Sequence, residues 1–224
     1  MDRLFLFMLI TLAVSLPLFS WLKNRRYWQQ PLIPGQLLPA LRDAPLSSSP
    51  AGQLAFSGIL CAFTAIFQGS ALYLPLVGHF LSHFATLIVA LATMTWVRGG
   101  LYVIAGTGIL LLFIAPKQVP LFLLFDAPLG FWMGWSIARQ KSRLIAWSLS
   151  LVSLLLGIAC LSQLLGIAAL GGLAKGFTGP WLAVSTSSFA ALYSWAWFSF
   201  LEQFLFLTNR LLPQKTGTGK KPVS

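Results

Sequence analysis

Val119–Ala138 reads VPLFLLFDAPLGFWMGWSIA and is followed at once by Arg139-Gln140-Lys141-Ser142-Arg143. Twenty residues with one ionisable group are long enough, as a helix, to cross a hydrocarbon layer of about 30 Å. A buried strand of that length would be unusual, and a barrel strand would alternate apolar with polar side chains, which this run does not. The basic exit is the kind of flank that marks the cytoplasmic end of a spanning helix. Read outward from this stretch, the chain is an all-α, polytopic transmembrane helical bundle.

Six more runs repeat the pattern: Leu4–Leu22, Leu54–Val77, Phe80–Val97, Leu101–Ala115, Leu144–Leu170 and Trp181–Leu207. The fourth in chain order, Leu101–Ala115, is short unless the helix extends through Gly99 and Gly100. The composition agrees: 57% of the 224 residues are apolar and 8% charged, against roughly 25% charged in a soluble domain. A mean hydropathy of +0.81 leaves most side chains facing lipid or one another.

The net charge of +11 does not point to nucleic acid. The basic residues sit in short clusters between apolar runs, where membrane proteins carry topology signals. Twelve of the fifteen fall on one side: Lys23, Arg25, Arg26, Arg42, Arg98, Arg139, Lys141, Arg143, Arg210, Lys215, Lys220 and Lys221. Arg3, Lys117 and Lys175 fall on the other. The richer side is expected to be cytoplasmic, which places the C-terminus inside and the N-terminus outside the cell membrane. The first run lacks a small-x-small cleavage site and is flanked by Lys23, Arg25 and Arg26, so it reads as a retained anchor rather than a signal peptide.

This gives an N-terminal anchor over 1–22, a Pro/Ser-rich cytoplasmic connector over 23–53, a six-helix core over 54–208 and a basic tail over 209–224. The connector carries Pro31, Pro34, Pro39, Pro45 and Pro50 and the run Ser47-Ser48-Ser49. That composition favours extended chain.

Polar chemistry is scarce. Asp126 and Glu202 are acids inside apolar runs, where an uncompensated charge is costly. Asp126 lies about 10 Å below the outer face at 1.5 Å per residue, and Pro128 removes one backbone donor and can open the helix one turn earlier, leaving carbonyls free near Asp126. It reads as a ligand for a solute or cation, or else as a helix-to-helix hydrogen bond. His79 and His83, four apart, share a helical face near the same depth. With Asp126 they have the donor types for a divalent transition metal. The alternative is a pair of interfacial histidines. Trp132 and Trp135 are candidate walls of a cavity. Glu202 is expected to pair with Arg98 or Arg210. Ser57, Cys61 and Ala65 form a small-residue face that lets another helix approach closely, from within the bundle or from a partner protein. Cys61 and Cys160 show no disulfide or zinc spacing. There is no nucleotide motif and no Ser-His-Asp set, so neither an enzyme nor a cofactor is expected.

Several stretches bear a family resemblance. They are Ser57-Gly-Ile-Leu-Cys-Ala-Phe-Thr-Ala65, Trp96-Val-Arg-Gly-Gly100 running into a short Gly-rich span, Gly130-Phe-Trp-Met-Gly134, and the basic exit at Arg139–Arg143. In order and texture the six-span core resembles the substrate-binding (S) components of energy-coupling factor transporters and the related YybS-like bacterial membrane proteins. The resemblance implies a subunit that captures a vitamin or metal ion in an outward-facing pocket. It also implies partners: a transmembrane coupling protein, met through the small-residue face of the second span, and ATPases on separate chains. The extra N-terminal span and the proline-rich connector depart from the simplest family plan. The competing expectation is a scaffold or assembly protein that packs against other membrane proteins.

Overall fold

The computed structural model describes residues 25–30, 49–74, 76–163 and 180–211. The anchor over 1–22, most of the connector, part of the sixth apolar run and the end of the tail lie outside the described residues. Among the described residues every element is helical. In chain order these are α1 (Arg25–Gln29), α2 (Pro50–Tyr73), α3 (Val77–Ser82), α4 (Phe84–Thr95) and α5 (Val97–Ile114). A 3-10 turn (Pro116–Gln118), α6 (Val119–Leu121) and a π turn (Phe122–Asp126) lead into α7 (Ala127–Ala138). α8 (Arg143–Gln163) and α9 (Pro180–Leu211) complete the set.

Among the described residues, five helices are long and apolar enough to cross a membrane: Pro50–Tyr73, Val77–Thr95, Val97–Ile114, Pro116–Ala138 and Arg143–Ser162. This is the architecture of a multi-pass membrane protein. α9 is longer, at 32 residues, but its Ser, Thr and Trp content leaves it outside that set. The outer surface bears Ile59, Phe63, Ile66, Ile109, Phe113 and Leu156, all more than half exposed. In water such a surface would aggregate, whereas in lipid it is the solvated face.

Local sequence explains the helix limits. α2 starts at Pro50, where the sequence suggested connector, because proline suits a first helical turn and Ser49 caps it. The Ser49 hydroxyl oxygen accepts the Gly52 N–H at 3.0 Å. α5 does extend through Gly99 and Gly100, reaching 18 residues. α7 ends with Gln140 at φ 49° and with Lys141 N–H donating to the Ser136 carbonyl, a left-handed C-terminal cap that turns the chain into α8.

Two parallel helix pairs form the centre. Along α2 and α5, Ser57 meets Gly99, Cys61 meets Gly106 and Gly69 meets Ile114. The pairs advance together, as they must when two crossings return the chain to the same direction. Along α4 and α7, Gly130 lies on the Thr86 carbonyl and Gly134 on that of Ala90. Ala85, Val89, Ala90, Ala92 and Met94 are at most 2% exposed, so α4 is enclosed by its neighbours on nearly every side.

The small-residue face of α2 is filled from within. Ser57, Cys61 and Ala65 are all buried. The Cys61 thiol donates toward the carbonyls of Tyr102 at 3.5 Å and Val103 at 3.7 Å, and the Thr107 hydroxyl donates to the Cys61 carbonyl at 3.4 Å. Instead of docking a partner, this face seats α5. The reason is Gly106, whose missing Cβ leaves room for the Cys61 sulfur.

The described part of the connector also departs from its reading as extended chain. Trp28 of α1 is 3% exposed, stacked on Phe198 of α9 at 6.3 Å and edge-on to Trp147 of α8 at 6.2 Å. The Gln30 carbonyl accepts the Arg143 N–H at 3.2 Å.

Packing at the glycines makes a direct prediction. Gly134→Val drives its side chain into the Ala90 carbonyl and is expected to destabilise the protein by about 3 kcal/mol. Gly58→Ala, at a position with nothing within 4 Å, is expected to be neutral or to stabilise by up to about 1 kcal/mol through helix propensity. Thermal unfolding of the two variants in one detergent distinguishes them, and equal midpoints would reject the α4–α7 contact.

Candidate functional site

A polar cluster lies where α5 ends and the Pro116–Ala138 span begins. It is built around Asp126, the last residue of the π turn, which has no exposed surface. The turn arises where the α-helical hydrogen-bond ladder cannot continue. Pro128 has no N–H to give the carbonyl four residues back, and Ala127 N–H reaches the Phe122 carbonyl, five back. The widened turn directs Asp126 inward, and Gly157 of α8 allows close approach to the Leu124 carbonyl.

Four other elements supply its neighbours. Gln68 of α2 donates its Nε2–H to Asp126 Oδ2 at 3.1 Å. Thr86 of α4 donates its hydroxyl to Oδ1 at 3.1 Å. His83, at the break between α3 and α4, holds Nδ1 at 3.7 Å from Oδ1 and at 2.8 Å from the hydroxyl of Tyr193 on α9. Gln68 and Thr86 are as buried as Asp126, while the His83 side chain is 36% exposed. His83 is therefore the edge of the cluster and Asp126 its floor. Tyr193 continues into an aromatic wall: Phe125 at 5.2 Å, Phe189 at 5.6 Å and Trp197 at 6.4 Å.

Two electrostatic facts define what this arrangement can hold. Among the described residues, His83 is the basic side chain within 4 Å of Asp126; no Lys or Arg approaches it. The carboxylate is thus buried with hydrogen bonds but without a permanent counter-charge. Gln68 Oε1 is also buried and has no partner. Turning the amide over does not cure this, since the two-donor nitrogen would then be stranded instead.

The sequence-expected residues divide. Asp126 and His83 come together. His79 is exposed on α3, with its ring 6.5 Å from that of His83. Among the described residues no three of His, Cys, Asp and Glu are placed to hold a metal ion, so the His79, His83 and Asp126 metal set is not formed. The spacing of four does keep the two rings side by side, but of the pair only His83 lies within 4 Å of Asp126. Trp132 and Trp135 pack on each other at 5.7 Å, and Trp132 on Phe131 at 5.6 Å. They lie about 9 and 13.5 Å further along the helix axis than Asp126, and the aromatic wall comes from α9 and Phe125 instead.

Gln68, Thr86 and Tyr193 escaped the sequence reading. Gln68 had a signal, as the one amide in the apolar run Leu54–Val77. Thr86 and Tyr193 had none, since other Thr and Tyr residues in similar runs serve elsewhere.

Glu202 pairs with Arg143 at 2.7 Å, a partner the sequence did not suggest, while the Arg210 side chain lies outside the described residues. Arg143 opens α8 and Glu202 lies toward the end of α9, so this pair sits at the opposite end of the bundle, beneath Trp28.

No protein-family model, curated protein or solved structure matches the chain.

Substitutions separate the cluster's members. Asp126→Ala strands the Gln68 and Thr86 donors and is expected to cost about 2–4 kcal/mol, whereas Asp126→Asn keeps the shape and costs less. Gln68→Met loses one hydrogen bond to a charged group but also removes a buried unpartnered oxygen. These are terms of about 1.5–3 and 1–3 kcal/mol, and they nearly cancel. The order Asp126→Ala well below Gln68→Met in thermal midpoint is the expected result, and a large loss in Gln68→Met would mean that its oxygen is already partnered.

Proposed function

We propose that the protein is a solute-binding subunit of a membrane transporter, like the S components of energy-coupling factor systems, with no catalytic activity of its own. The observation that carries this reading is the buried Asp126 carboxylate beside the unpartnered Gln68 oxygen, with His83 at the rim. A polar group sealed in an apolar bundle costs stability unless something compensates it, and a captured solute would do so. A cluster kept only for packing would be expected to close its own hydrogen bonds.

In this reading the bundle comprises an N-terminal span and a six-helix core, with α9 as the last crossing. The N-terminus lies outside, the C-terminus lies in the cytoplasm, and the Asp126 end faces outward. Support comes from the basic residues. Arg98, Arg139 and Lys141 are exposed at one set of helix ends, and Lys117 is exposed at the end that holds the cluster. A transmembrane coupling protein and ATPase subunits would drive release of the solute. The Ser57, Cys61 and Ala65 face, the expected docking surface for a coupling protein, is occupied by α5, so in this reading the coupling protein would meet another face of the bundle.

Topology is tested by single cysteines on a background lacking Cys61 and Cys160. A membrane-impermeant maleimide is expected to label Lys117→Cys in intact cells and Lys141→Cys only after permeabilisation. The reverse pattern would turn the site to the cytoplasm and remove the capture role. Function is tested by affinity purification of the tagged protein in mild detergent, with mass spectrometry of proteins and small molecules. A co-purifying small molecule, ATPases and a coupling subunit are the expected outcome. Recovery of an unrelated membrane complex with no solute would reject the reading.

A further inference from the structure

We infer that the Asp126 site binds a cation through N–H donors, and that its ligand presents a primary ammonium group. This rests on the solute-binding reading above and deepens it.

The argument begins with what the site lacks. Its inward-facing oxygens are the Asp126 carboxylate, Gln68 Oε1 and the Thr86 hydroxyl. Gln68 Nε2 gives one of its two N–H groups to Asp126 and the Thr86 hydroxyl gives its hydrogen, so oxygen acceptors outnumber the donors left for a ligand. An anionic or acceptor-only solute would face a carboxylate and an amide oxygen at close quarters, and is excluded by repulsion. A donor is required, and a positive one answers the absence of Lys and Arg around Asp126.

Histidine does not fill this role by itself. His83 Nδ1 is 2.8 Å from the Tyr193 hydroxyl but 3.7 Å from Asp126, so its short contact is with the phenol. In the proposed arrangement Tyr193 O–H donates to Nδ1, and the carboxylate keeps lone pairs for the ligand. Every named group has a partner in that arrangement, including Gln68 Oε1.

The shape of the donor set narrows the cation. A primary ammonium offers three N–H groups to three side-chain oxygens. A hard metal ion such as calcium takes about six to eight oxygens, more than the cluster provides. The Leu124 carbonyl, whose α-helical donor Pro128 removes, does not add to the set, because Gly157 lies against it. Phe125, Tyr193 and Trp197 form an aromatic side to the cluster, and aromatic faces attract cations.

The test uses the full chain in detergent or nanodiscs and reads its thermal midpoint against added methylammonium chloride. Tetramethylammonium chloride serves as a cation without N–H donors, acetamide as a neutral N–H donor, and sodium chloride as the ionic control. Methylammonium is expected to raise the midpoint by several degrees in a saturable way, as a ligand of the folded state does. The three controls are expected not to do so. Asp126→Asn and Gln68→Met are each expected to weaken the effect at least tenfold in half-saturating concentration, while Gly58→Ala leaves it unchanged. Equal stabilisation by acetamide, lost in Gln68→Met, would overturn the cationic ligand and leave solute binding standing. So would a neutral or anionic co-purifying solute whose binding needs Asp126. No response to any probe, together with no co-purifying solute, would overturn both.

Discussion

The structure depends on the contact between α4 and α7. Gly130 and Gly134 bring the α7 backbone onto the carbonyls of Thr86 and Ala90. In a membrane there is little hydrophobic drive between helices, because lipid tails are as apolar as leucine. Close approach and the dispersion it allows must do more of the work. The same contact sets the site. Gly130 rests on Thr86, and Asp126 lies one turn earlier on the α7 side. The Thr86 hydroxyl is therefore delivered to the carboxylate by the register of the two helices, with no separate device to aim it.

The π turn follows from this register. An α-helix running straight from Val119 would carry Asp126 on a path fixed by 3.6 residues per turn. Inserting one wider turn at Phe122–Asp126 changes the phase between the segment before it and α7 after it. α7 can keep its glycines against α4 while the segment before it takes its own facing. Phe122, 0% exposed, occupies the inside of that turn. Pro128 makes the departure less costly, since one α-helical hydrogen bond is already missing, and Gly157 lets α8 close over the widened backbone.

Much of this was legible in the sequence, for physical reasons that also mark where legibility stops. A bilayer demands long apolar runs, so the spans showed themselves, including the extension of α5 through Gly99 and Gly100. The cost of a buried acid singled out Asp126, and the missing donor of Pro128 pointed to disturbed backbone beside it. What did not show was which helix faces meet. The Ser57, Cys61 and Ala65 stripe announced a close approach without saying whose, and α5 supplied it. Trp132 and Trp135 looked like walls because aromatic residues near an acid often are, but rise along the axis separates them from Asp126. Glu202 found Arg143 across two helices, a pairing that no spacing encodes.

The two acids within the apolar runs are resolved in opposite ways, and the difference is informative. Glu202 has a guanidinium at 2.7 Å, charge against charge, near a helix end where α1 closes over the pair with Trp28. Asp126 has neutral donors and a histidine at the limit of pairing distance. A fold that needed only helix-to-helix cohesion could have treated both acids alike, since Arg is suited to buried ion pairs. A permanent cation at Asp126 would fill the carboxylate and leave it nothing to exchange. Leaving that place to neutral donors and to an unanswered amide oxygen keeps carboxylate lone pairs open, which is what the proposed ligand would need in order to bind and then leave.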